Sequence, residues 1–161
     1  MLAVFFHYDD IFGTALNRFL VQAVAGIPLT VYGKGGQTRG YLNINDTMEC
    51  VKLAMLNPPK DSDLRIFNQF TETFSVNELA AKVQNVGNSL GLKVETNNYP
   101  NPRKEAEDHY YNPKHTGLLD LGLSPTYLSD DLLEAMLLKI IKYRSKIVSD
   151  RILPRVIWNK S

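Results

Sequence analysis

An α/β fold is predicted by three observations. Short β-rich runs alternate with amphipathic stretches of helical period along the chain. Most of the helical stretches are announced by a capping residue and closed by glycine or proline. The opening run Met1-Leu2-Ala3-Val4-Phe5-Phe6 is apolar on both faces, as a strand buried in a parallel sheet is.

The elements follow in order. Residues 2–6 read as a strand, and a helix runs from near Gly13 to Ala25, where Gly26 and Pro28 end it. Leu29–Tyr32 and Gly40–Ile44 read as strands on either side of a glycine-rich bend. Asp46 with Glu49 three residues on has the form of a capping box, and that helix stops at Pro58-Pro59. Leu64–Phe67 reads as a strand. Ser75-x-x-Glu78 repeats the capping signature before a helix with Val76, Leu79, Ala80 and Val83 on one face, closed by Gly91. Val94–Asn97 reads as a strand, and Asn112-Pro113 as the start of a short helix ending before Gly122. Ser129 caps the last helix, whose stripe of Leu132, Leu133, Met136, Leu137, Ile140 and Ile141 must pack against the rest of the chain.

Length and composition bound the function. At 161 residues and 44% apolar the chain suffices for one globular domain with an ordinary core. Its 18 basic and 17 acidic side chains are dispersed, so no electrostatic footprint for nucleic acid is present. The opening apolar run is too short for a signal peptide core or a membrane span, so no membrane insertion is expected. Cys50 is the only cysteine, which excludes an internal disulfide and fits a reducing compartment; its apolar neighbours predict a small buried side chain. His7, His109 and His115 lack ligand spacing, so no metal is expected. The first strand and glycine turn of a nucleotide-binding α/β enzyme are missing, which suggests a fragment.

The bend at Val31-Tyr32-Gly33-Lys34-Gly35-Gly36-Gln37-Thr38-Arg39-Gly40-Tyr41 has the layout of an anion site, since glycine admits close backbone approach and arginine offers a rigid fork of donors. Gly33-x-Gly35 lacks the third glycine of a dinucleotide fingerprint, and no Gly-Lys-Ser/Thr follows. A hairpin turn carrying a solvated arginine is the alternative on residue chemistry alone.

Four ordered blocks carry a family resemblance: Tyr8-Asp9-x-x-Phe12-Gly13-Thr14-Ala15-Leu16-Asn17-Arg18-Phe19; Leu29 through Leu42; Phe67-Asn68-Gln69-Phe70-Thr71-Glu72-x-Phe74-Ser75-Val76-Asn77-Glu78-Leu79-Ala80; and Pro100-Asn101-Pro102-Arg103-x-Glu105-Ala106-Glu107-x-His109-Tyr110-Tyr111-Asn112-x-Lys114-His115-Thr116. Together they resemble the carboxy-terminal half of the UDP-sulfoquinovose synthase family, within the extended short-chain dehydrogenases of the NAD-dependent epimerase/dehydratase group. The resemblance implies the last strands of a Rossmann-type parallel sheet plus the smaller α/β nucleotide-sugar-binding domain. It implies that residues 1–161 form a substrate-binding portion whose NAD-binding partner portion lies elsewhere.

The implied activity is formation of UDP-sulfoquinovose from UDP-glucose and sulfite, with NAD as transient oxidant of the sugar, at the head of sulfolipid biosynthesis. The family's glycine turn, active-site threonine and Tyr-x-x-x-Lys pair have no counterpart here, so no catalytic residue is assigned and the chain alone is expected to be inactive. Tyr110 and Lys114 share the spacing of such a pair, but Pro113 intervenes and the block matches another part of the family. By resemblance, Arg39 and Arg103 neutralise the diphosphate, and the backbone of Val31 and Tyr32 meets the uracil edge. Gly40 and Tyr41 lie against the nucleotide, and Glu105 takes ribose hydroxyls. His109 is a hydrogen-bonding residue beside the sugar or a buried structural one, and Thr14, Asn17 and Arg18 lie near the sugar and sulfite. Tyr8 and Asp9 border the nicotinamide. A homodimer is expected, in the chloroplast stroma for a photosynthetic eukaryote or the cytoplasm for a bacterium. Another nucleotide-sugar epimerase or dehydratase, and a UDP-sugar-binding remnant without turnover, are the alternatives.

Overall fold

Thr14 opens the first helix: its hydroxyl accepts from the Asn17 N–H at 3.3 Å, and α1 (Ala15–Ala25) runs to Gly26, whose φ of 76° is the left-handed turn of a helix stop. In the computed structural model, residues 7–8, 13–60, 63–101 and 113–152 are described. The expected strand 2–6 and the Asn112 cap lie outside them. The described residues divide into two compact units.

The first unit comprises the described residues of Met1–Gln37, Ser75–His109 and Ser129–Ser161. After α1 comes β1 (Leu29–Tyr32), and α3 (Val76–Ser89) begins at a complete capping box. There Ser75 Oγ accepts from Glu78 N, and the Glu78 carboxylate takes the Ser75 N–H at 2.7 Å. β4 (Thr96–Tyr99) and α5 (Asp130–Lys142), capped by Ser129, complete the unit. The helices pack on one another through Phe19, Leu20, Val24, Leu79, Val83, Leu133 and Leu137, all essentially without exposure. Their periodic apolar stripes therefore form one core, worth roughly 1.5–3 kcal/mol for each fully buried large side chain. β1 lies parallel to β4, with Leu29 opposite Thr96 and Tyr32 opposite Tyr99. The last strand thus starts two residues later than the expected 94–97; Val94, buried at 5%, packs into the core just before it.

The second unit comprises the described residues of Thr38–Phe74 and Tyr110–Leu128. It holds β2 (Thr38–Tyr41), α2 (Ile44–Leu56), β3 (Glu72–Ser75, the last residue belonging to the first unit) and the short α4 (Gly117–Asp120). Its core is Cys50, Leu118 and Leu123, with Leu42, Leu53, Phe67 and Leu119 against them. Cys50 is fully buried, as its apolar neighbours predict.

Several expectations are corrected here. The glycine bend closes no hairpin, because β1 pairs with β4 and β2 with β3. The strand expected at Gly40–Ile44 starts earlier and ends at Tyr41; Ile44 already belongs to α2. Asn43, not Asp46, caps that helix, accepting from Asn45 N at 2.9 Å. Asp46 instead turns inward and accepts from Thr126 N at 2.6 Å and Thr126 Oγ1 at 3.1 Å. Leu64–Phe67 forms no strand: Leu64 and Ile66 are 85% and 80% exposed, and Arg65 holds the segment by donating to Asn57 O at 2.9 Å. The ladder forms farther on, where Tyr41 and Phe74 bring their rings to 5.7 Å. The short helix starts later than Pro113, at Gly117, with no side-chain cap.

Candidate functional site

In an open parallel arrangement ligands gather at the carboxyl ends of the strands. At that end of the first unit stand Tyr32 and its register partner Tyr99, both reached from the backbone of the same bend. Gly33 N donates to Tyr99 O at 2.8 Å, and Asn98 Nδ2 donates to Gly33 O at 3.1 Å. The Arg18 guanidinium, from α1, lies 5.2 Å from the centre of the Tyr32 ring, within cation–π range. Burial pushes the Tyr32 phenol above its usual range, and the nearby Arg18 charge partly opposes that shift. The phenol is therefore a neutral donor at physiological pH. A guanidinium beside the Tyr32 phenol, with Tyr99 next to that phenol on the neighbouring strand, suits an anion or the polar edge of a planar base.

Of the other candidates in this unit, Thr14 is the α1 cap and Asn17 supplies the N–H it accepts. Val31 is fully buried, and its N–H faces β4 as those of Leu29 and Gly33 do. The Tyr8 hydroxyl accepts from Val148 N at 3.1 Å. Tyr99 lies outside the candidate set drawn from the sequence. It is 42% exposed, and only the parallel register places it beside Tyr32.

The bend itself is explained by packing. Gly35 has φ of 70°, and a Cβ there would meet Asn77 Oδ1 and stand 2.6 Å from Val31 Cγ1. Asn77 fastens the bend from the start of α3, its N–H donating to Gly35 O at 3.0 Å and its Nδ2 to Lys34 O at 2.8 Å. The space that a ligand phosphate would need beside Gly35 is filled by protein.

In the second unit, Arg39 is exposed and its Nη1 donates to Thr38 O at 3.0 Å. Gly40 lies so close to Phe70 that a Cβ would stand 2.6 Å from the ring. Phe70 in turn stacks on His115 at 4.4 Å. Tyr41 is half-buried; burial raises its phenol pKa, with Arg39 opposing. Asp9, Arg103, Glu105 and His109 lie outside the described residues.

No family model matches the chain. Among curated proteins it is similar to the chloroplastic UDP-sulfoquinovose synthase of Spinacia oleracea, with 59% identity over 155 residues, covering 96% of this chain and 32% of that protein. It is also similar to the UDP-sulfoquinovose synthase of Sulfolobus acidocaldarius, with 42% identity over 157 residues, 96% of this chain and 40% of that protein. The chain thus spans 32% and 40% of these relatives' length. Among solved structures it resembles a UDP-glucose 4-epimerase from Thermotoga maritima with UDP-glucose, at TM-score 0.65 and 21% identity, covering 84% of this chain and 42% of that one. A UDP-glucuronic acid 4-epimerase from Bacillus cereus, in complex with UDP-glucuronic acid and NAD, matches at TM-score 0.61 and 24% identity, covering 81% and 40%. At such identities the likeness is one of fold. No helix among the described residues is long and apolar enough to cross a membrane. By fold the chain is an α/β protein of the kind seen in these UDP-sugar 4-epimerases, and by sequence it is similar to the carboxy-terminal segment of UDP-sulfoquinovose synthases.

Proposed function

We propose that this chain forms the nucleotide-sugar-binding portion of a UDP-sulfoquinovose synthase, a protein that makes UDP-sulfoquinovose from UDP-glucose and sulfite. The observation that carries the reading is the 59% identity to the spinach synthase across 96% of the chain. The cluster of Arg18, Tyr32 and Tyr99 at the strand ends supports it, because a diphosphate-linked base and sugar offer both an anion and a planar edge.

In this reading the Val31 and Tyr32 backbone meets the uracil, and Arg39 and Arg103 clamp the diphosphate with Gly40 and Tyr41 alongside. Glu105 accepts from ribose hydroxyls, and His109 stands near the sugar. Thr14, Asn17 and Arg18 meet the sugar and sulfite at the start of α1, where a neutral hydroxyl, an amide and a guanidinium suit anionic and hydroxylated groups. Bound NAD would supply the hydride acceptor and donor for the sugar. The Gly33–Gly36 bend does not fit the cofactor's phosphates, since Asn77 and Val31 fill the space beside Gly35. Tyr8 and Asp9 are this chain's contribution beside the nicotinamide, and the remaining cofactor contacts belong to other parts of the enzyme. Two copies pair as a homodimer, and the enzyme works in the chloroplast stroma of a photosynthetic eukaryote or the cytoplasm of a bacterium.

The test is product analysis by mass spectrometry after incubating the full polypeptide with UDP-glucose, NAD and isotopically labelled sulfite. The expected result is a labelled UDP-sulfoquinovose. Conversion to UDP-galactose regardless of sulfite would replace the reading with an epimerase. Binding of UDP-glucose without turnover would replace it with a binding protein.

A further inference from the structure

Arg18 and Gln22 are four residues apart on α1 and so share one helix face. Each reaches a residue of β1, in reversed order along the strand. Gln22 and Thr30 are 0% and 1% exposed, and between them the carboxamide makes two bonds. Gln22 Nε2 donates to Thr30 Oγ1 at 3.0 Å, and Gln22 Oε1 accepts from Thr30 N at 3.1 Å. One helical turn earlier, Arg18 lies over Tyr32.

The strand explains why the amide is there. Leu29 gives its N–H to Glu95 O, just before β4, and Gly33 gives its own to Tyr99 O at the end of β4, each at 2.8 Å. In a parallel pair the alternate residues face the other way, so the Thr30 N–H points away from β4, where burial leaves it no water. Gln22 stands in that place as a further strand would. The rest of α1 meets its neighbours mainly through Phe19, Leu20, Val24 and other apolar side chains, which set a distance but no register, because hydrophobic contact is non-directional. Two buried hydrogen bonds of fixed direction do set one.

We propose that the Gln22–Thr30 pair locks the register of α1 on β1, and that Gln22 is thereby a positioning residue for nucleotide-sugar binding, holding Arg18 over Tyr32. The proposal rests on the reading above that Arg18 and Tyr32 meet the ligand. Gln22 touches no substrate; it acts through the guanidinium one turn away. Arg18 carries a long, rotamer-rich side chain, so its placement depends on where the helix backbone is held.

The test compares the full polypeptide with Gln22→Met, Arg18→Ala and the double variant, using two readouts. In the first, NMR follows the Arg18 side-chain resonances, which sit in the shielding region of the Tyr32 ring. Gln22→Met is expected to remove the part of their shift due to Tyr32 and to leave the part due to the Phe19 ring, 5.7 Å away on α1 itself. In the second, UDP affinity is measured by calorimetry. Gln22→Met is expected to weaken it about tenfold, the equivalent of one misplaced charge-assisted hydrogen bond. In the Arg18→Ala background the same change is expected to leave affinity unaltered, although thermal stability falls in both backgrounds. Unmoved Arg18 resonances in folded Gln22→Met protein, or an equal loss of affinity in both backgrounds, overturns the lock. If Gln22→Met does not fold, Gln22→Asn serves instead, since it shortens the amide by one methylene so that it no longer spans to Thr30, and leaves the Thr30 hydroxyl in place beside Tyr32. If wild-type protein binds no UDP, the functional reading fails, and the Arg18 resonances alone decide the lock.

Discussion

Substituting Asp46 by Ser separates two roles, helix cap and tertiary acceptor. Serine is as good a helix cap as aspartate, so if Asp46 capped α2 the change would cost a few tenths of a kcal/mol. In the structure Asp46 is 6% exposed and its carboxylate takes both the N–H and the hydroxyl of Thr126, eighty positions away in sequence. A serine hydroxyl is too short to make both bonds. Losing a hydrogen bond to a charged group costs about 1.5–3 kcal/mol, so a loss of about 2 kcal/mol is expected. With a urea dependence of about 2 kcal/mol per molar, the unfolding midpoint falls by about 1 M. Because the chain forms two compact units, circular dichroism is best paired with amide exchange at Thr126, which should lose its protection selectively. Asn43→Ala, which removes the observed cap, is the control and should cost about 1 kcal/mol without exposing Thr126. An Asp46→Ser protein within a few tenths of wild type, with the Thr126 amide still protected, would refute the reasoning.

Other expectations concern the bend, the second cap and the cysteine. Gly35→Ala should cost roughly 2–5 kcal/mol, the sum of about 1–2 for a left-handed alanine and about 1–3 for the displaced neighbours Asn77 and Val31; thermal unfolding measures it, and a neutral result removes the packing account. Ser75→Ala should cost about 1 kcal/mol at neutral pH by opening the capping box. Two hydrogen bonds from Ser75 hold the Glu78 carboxyl below its ordinary pKa, so their stabilisation is complete above about pH 4.3 and is lost as pH falls through the lowered value. The gap between wild type and Ser75→Ala should therefore narrow in acid, and a gap that widens contradicts the assignment. Burial, with the Asp46 charge beside it, pushes the Cys50 thiol pKa up. An aromatic disulfide reagent should thus react only after urea opens the unit, and fast labelling of native protein would place the thiol elsewhere.

What was legible in the sequence was local. The Ser75 and Ser129 caps, the Gly26 stop and the three-to-four spacing of Leu133, Leu137 and Ile140 each act within a turn or two, and each appears where its pattern stands. What was not legible depended on distant partners. Asp46-x-x-Glu49 fits the capping pattern as well as Asn43 does, and only Thr126 decides which way Asp46 turns. Leu64 and Ile66 have the composition of a strand, yet no neighbouring strand pairs with them among the described residues. The candidate site divides in the same manner. Arg18 and Tyr32 are recoverable from their motifs, whereas Tyr99 and the Gln22–Thr30 pair become visible only once β1 is laid parallel to β4.

A glycine in a motif has two physical explanations, a close ligand or a close neighbour in the fold, and what occupies the space where Cβ would stand tells them apart. Beside Gly35 that space holds Asn77 and Val31; beside Gly40 it holds Phe70. Both glycines are thus required by the fold before any ligand arrives, and neither serves as evidence for a phosphate cradle. On the proposed function, recognition in the first unit then falls to side chains, and chiefly to those whose position is directionally fixed. Arg18 meets that condition because Gln22, one turn on, is bonded twice to the strand that carries Tyr32. A long cation on a helix would gain little affinity if the helix were free to slide, since immobilising its side chain at each binding event costs about 0.5–1.5 kcal/mol. Fixing the register during folding removes part of that cost from the binding step, which is why the buried amide, rather than the glycine-rich bend, is the feature of this unit through which a change of sequence reaches ligand affinity without touching the ligand.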